Sequence, residues 1–147
     1  MSDIRVEGLE EVLEAVESLE DIDSYKRALQ KACALVERAA KQNAPKGKGE
    51  LRRSITYRIE QEGDTLRGVV FTPLDYAPYV EYGTGLGAFE EGGSGNGRTD
   101  VPWSYFDEDE GEWKTTSGMP PHPYLRPALN DNREEILRIL KEGKNDR

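Results

Sequence analysis

Apolar residues recur every three or four positions at Leu9, Val12, Leu13, Val16 and Leu19, with glutamates between them, which predicts a first amphipathic helix ending near Asp21. Asp23 or Ser24 can cap a second helix, whose stripe of Leu29, Ala32, Cys33, Val36, Ala39 and Ala40 continues until Asn43, Ala44 and Pro45 stop it. The small alanines would let another element approach closely. Lys46 to Gly49 reads as a flexible loop and Glu50 to Ser54 as one helical turn. The period then changes: Ile55, Tyr57 and Ile59 alternate with polar residues, Glu62-Gly63-Asp64 turns the chain, and Leu66 to Phe71 runs back, as in an antiparallel hairpin. Asp75 to Tyr82 suits a short helix leading into Gly83-Thr84-Gly85.

The stretch from Gly85 to Gly118 holds eight of the fifteen glycines and reads as a long acidic insertion. Within it Val101 to Phe106 and Trp113 to Thr116 are expected to form a projecting hairpin around Asp107 to Gly111. Pro120, Pro121 and Pro123 stiffen the chain before a final helix carrying Leu125, Leu129, Ile136, Leu137 and Leu140, and Gly143 to Arg147 reads as a fraying polar tail. These elements predict an α+β fold: amphipathic helices packed on a small antiparallel β-sheet, in a single domain over residues 1–147, with the Gly-rich insertion at about 85–118. At 147 residues the chain has room for one domain and is cramped for two.

Composition narrows the possible functions. Hydrophobic residues make up 35 % and charged residues 33 %, with a mean hydropathy of −0.79, enough for one thin core. No apolar run approaches the roughly 20 residues needed to span a bilayer, and the acidic start lacks the form of a signal peptide, so a cytoplasmic origin is expected. One cysteine, Cys33, and one histidine, His122, cannot supply an internal disulfide or the usual zinc ligands. The net charge of −9 is uneven: residues 1–24 carry −8, 25–84 carry +4, 85–118 carry −6 and 119–147 carry +1. An acidic whole disfavours general DNA binding, whereas blocks of opposite sign suit contacts between copies of the chain.

Motifs for specific chemistry fall short on spacing. The acidic run Asp107 to Glu110 lacks the alternating ligands and closing glutamate of a calcium loop, and His122 has no nucleophile motif near it. Lys46, Lys48, Arg52 and Arg53 form a basic cluster among glycines, but a phosphate-binding loop needs a strand before it and Lys-Ser/Thr after its last glycine. That cluster suits contact with an acidic protein face; an alternative is a small nucleic-acid-binding accessory protein. Gly83-Thr84-Gly85-Leu86-Gly87 has no βαβ unit around it and reads as a chain reversal using positive φ.

Three segments resemble, in order and spacing, the signature blocks of the tail-completion, or head–tail joining, proteins of long-tailed bacteriophages. They are Ala44-Pro45 with Gly49-Glu50-Leu51-Arg52-Arg53-Ser54-Ile55, then Tyr76-Ala77-Pro78-Tyr79-Val80-Glu81-Tyr82-Gly83-Thr84, then Pro121-His122-Pro123-Tyr124-Leu125-Arg126-Pro127-Ala128-Leu129. Val6-Glu7-Gly8-Leu9 also resembles the family's start, and Trp103 to Gly118 the insertion that many members carry. Lys46-Gly47-Lys48-Gly49 departs from the family's usual Asp-Thr-Gly, so only the loop's position carries over. The resemblance implies a structural virion protein without enzymatic activity or cofactor. It would form a homo-oligomeric ring, typically sixfold, between the tail-tube protein and the head connector, assembling in the host cytoplasm, with DNA only as passing cargo. Expected partner-binding residues are Lys46, Lys48, Arg52, Arg53, Tyr76, Tyr79, Glu81, Tyr82, Trp103, Tyr105 and Trp113. Tyrosine offers large contact area with few rotors, and Glu81 could pair with Arg52 or Arg53 across a subunit boundary.

Overall fold

The computed structural model describes residues 11–16, 22–47, 49–63 and 65–145. Two compact units emerge, one formed by residues 1–74 with 124–147 and the other by residues 75–123.

The first unit contains β1 (Glu11–Val16), α1 (Ile22–Asn43), α2 (Glu50–Ser54), β2 (Thr56–Glu62), β3 (Thr65–Phe71), α4 (Leu125–Asn130) and α5 (Arg133–Asn145), and α3 (Ala77–Tyr82) falls in the second unit. Helix α1 is its axis. Asp23 in the first turn and Lys41 in the last complement the helix dipole, and Tyr25, Ala28, Leu29, Ala32, Cys33, Val36 and Ala40 form one buried stripe. The strands make an antiparallel sheet in the order β1-β3-β2, and α1 lies on it. The small-residue expectation is met twice. A Cβ at Gly68 of β3 would collide with Cys33 Sγ, and one at Gly143 of α5 with the Ala28 side chain, so both elements approach α1 at backbone range.

The α+β class is the one adopted, with three local corrections. Residues 11–16, expected within a helix, form a strand instead: Val12 pairs with Val69 and Ala15 with Leu66 along β3. A helical spacing is a local preference, whereas β3 has a second edge whose backbone groups need partners, and that pairing prevails. The remainder of the expected first helix lies outside the described residues. The final helix is broken at Asp131 and Asn132, where the Asn132 amide donates to Leu129 O and its side chain to Ala128 O, before the Ile136 amide reaches Asn132 O to start α5. Both pieces pack on α1 rather than chiefly on the sheet, through Tyr124, Leu125, Leu129, Ile136 and Leu140. Gly143 lies inside α5 rather than in a frayed tail; Asp146 and Arg147 are outside the described residues.

The second unit holds α3 (Ala77–Tyr82), β4 (Thr84–Gly85), a 3-10 turn (Leu86–Phe89), β5 (Trp103–Asp107), β6 (Glu112–Thr116) and β7 (Gly118–Met119). Strand β4 pairs with β7 and β5 with β6, both antiparallel. Its interior is mainly backbone. A Cβ at Gly87 would strike Met119 O, one at Gly97 would strike Gly85 O, and one at Gly118 would strike Thr84 O. Glycine is thus required here for close approach between chain segments, which explains its density better than a need for slack.

Candidate partner-binding surface

The second unit has little side-chain core and much apolar surface. Among the described residues, the exposed large hydrophobic side chains are Tyr76, Tyr79, Leu86, Phe89, Tyr105, Phe106, Trp113, Met119 and Leu137, and all but Leu137 fall in residues 75–123. Backbone packing between glycines explains this: with segments in direct contact, bulky side chains have no interior to enter and point outward.

The β5–β6 hairpin shows the arrangement most clearly. Tyr105 lies opposite Lys114 and Phe106 opposite Trp113, so alternation puts Ser104, Phe106, Trp113 and Thr115 on one face, all four exposed. Phe106 and Trp113 meet edge to face at 5.6 Å between ring centroids, and Trp113 is 71 % exposed. On the other face Trp103, Asp107, Lys114 and Thr116 are half-buried. Lys114 Nζ sits 2.9 Å from Asp107 and 2.7 Å from Glu110, and the Asp107 carboxylate also accepts the amides of Asp109 and Glu110. Hydrogen bonding to Lys114 holds both carboxyls below their usual range and raises the ammonium above its own. These contacts fix the turn that presents the aromatic pair.

Ten acidic residues and two basic ones give residues 75–123 a charge of −8, almost all of the chain's −9. Both cations are engaged within the unit. Lys114 is held as above, and Arg98 donates to both Asp100 oxygens at 2.8 and 3.0 Å while lying over the Trp103 ring at 4.9 Å. The surface is therefore apolar and negative together.

The expected binding residues separate into distinct settings. Tyr76 and Tyr79 are exposed, one turn apart at the start of α3, while Tyr82 is half-buried. Glu81 is 2 % exposed, because a helical period that turns Tyr79 outward turns Glu81 inward. Tyr105 and Trp113 are exposed and Trp103 is half-buried. Lys46 and Arg53 are exposed at the α1–α2 corner, whereas Arg52 is half-buried and donates to Ala44 O at 3.3 Å, bracing that corner. Lys48 lies outside the described residues. Sequence reasoning passed over Phe106, Leu86, Phe89 and Met119; the period of two in the hairpin would have set Phe106 beside Trp113 and away from Tyr105.

Among the described residues no group of three or more His, Cys, Asp or Glu could hold a metal ion, and no helix is long and apolar enough to cross a membrane. The fold class is α+β, and residues 75–123 form an acidic unit with exposed aromatic side chains. A family model matches residues 8–83, and the chain belongs to the HK97-gp10-like family of bacteriophage tail components. The resemblance to phage tail proteins is thereby borne out; the match takes in the first signature block and the second as far as Gly83. Comparison with curated proteins and with solved structures returns no match.

Proposed function

We propose that this tail component is a head–tail joining protein, seated at the head-proximal end of the tail tube as a ring of identical copies and meeting the head connector there. Its role is structural, with no bond made or broken by its side chains. The observation that carries this reading is the concentration of exposed aromatic and aliphatic side chains on one acidic, glycine-knit unit of a phage tail-component family member, since exposed apolar surface of this kind marks a contact surface. The third block, Pro121 to Leu129, supports it by building α4 onto the family domain with Tyr124, Leu125 and Leu129 buried.

Electron microscopy of particles assembled with and without this chain tests the proposal. Heads should stay unjoined to tails in its absence. Normal joining and infectious titre without the chain would overturn the reading.

A further inference from the structure

The hairpin's outer face combines Phe106 and Trp113 with a tip that carries five acidic residues and one lysine between Trp103 and Thr116. Five carboxylates against that one ammonium, which Asp107 and Glu110 hold, make the tip negative. An occupant must therefore offer cations beside apolar or aliphatic surface. The same chain has them: residues 25–74 carry eleven basic and five acidic residues, and Lys46 and Arg53 are exposed at the corner between α1 and α2. We propose that the β5–β6 hairpin of one copy docks on the Lys46–Arg53 corner of a second copy, with the Arg53 guanidinium against the Trp113 ring and the acidic tip against Lys46. The proposal rests on the tail-end assembly reading above and names the surfaces that would join neighbouring copies.

Charge complementarity and aromatic exposure both favour this pairing. Of the aromatic rings an indole is the best partner for a cation, and the interaction strengthens as water is excluded. The overall charge of −9 keeps free copies apart at long range, so the contact would form where a tail end holds copies side by side.

Paired single cysteines provide the test, placed as Asp109→Cys and Lys46→Cys in the full chain and oxidised in assembled tails. Buried Cys33 does not compete for oxidation. The expected result is a ladder of cross-linked copies that requires both cysteines. Cross-linking of Asp109→Cys to a different virion protein would overturn the proposal. A second arm reverses charge. Lys46→Glu with Arg53→Glu, and separately Glu108→Lys with Asp109→Lys, should each lower joined particles about tenfold, and combining the two sets should restore most of the loss. No restoration in correctly folded chains would sink the pairing, and Trp113→Ala, which leaves the charges intact, should reduce the ladder without changing the melting curve. If the ladder forms but particles lacking the chain still join heads to tails, the contact stands and the joining role fails.

Discussion

Cys33 shows how strongly one position is constrained. Its thiol is buried in the α1 stripe against Gly68, and burial pushes its pKa up from 9.0 to about 12, with Glu37 adding to the rise. The neutral thiol's advantage is whole below pH 9.0, where folded and unfolded chains both keep the proton, and is lost as pH rises toward about 12, because the unfolded chain ionises first. Urea denaturation across that interval should show the parent losing stability more steeply than Cys33→Ala; parallel curves would mean the thiol reaches water. Packing makes a second demand at this scale. Leu51 and Leu125 are 6 % and 3 % exposed, so each changed to Ala should lower stability by about 2 to 5 kcal/mol in denaturant titration. A loss well under 1 kcal/mol would remove the residue from the core.

At the scale of elements, the structure depends on short polar ties between pieces that are individually weak. Helix α2 has only five residues, and Ser54 at its end contacts Leu51 O at 2.6 Å and the Thr72 hydroxyl at 2.6 Å, linking it to the segment that follows β3. Ser54→Ala should cost about 1 kcal/mol in thermal or chemical unfolding, since the change removes a hydroxyl that serves two partners in a part-buried site. No measurable loss would show that water replaces both contacts. The same scale explains what was legible beforehand. The β2–β3 hairpin could be read because alternation and the Gly63 turn are local signals, and α1 because its stripe and the stop at Pro45 are local too. Strand β1 could not, because Val12, Leu13 and Val16 fit a helix as well as a strand and the deciding partner, β3, lies far along the chain. For the candidate surface, the residue types were legible and their orientations were not. Tyr79 outward and Glu81 inward differ by two positions on a short helix whose exposed side no local pattern announced.

On the scale of the whole molecule, the proposed function assigns contact-making to the second unit, and the burial pattern shows where the apolar core lies. The buried hydrophobic set is drawn almost wholly from residues 25–74 and 124–147, with Ala77 and Ala88 the described exceptions, so the first unit has its own apolar core. The second unit relies on close glycine contacts that a cut would abolish: removing residues 88–116 takes away Gly97 and the Trp103 ring, both of which lie against Gly85 of β4. The cleaner test replaces residues 75–123 entirely by a flexible Gly-Ser linker of about twelve residues, which spans roughly 20 Å as a random coil. The remaining domain should show a cooperative melt, with the helical circular dichroism of α1, α4 and α5 retained, and should fail to restore tail joining in particles lacking the native chain. Collapse of that domain would mean that its stability depends on the replaced segment. A folded domain that restored joining in full would locate the contact surface on the α1–α2 corner and the sheet, and the aromatic unit would lose its proposed role.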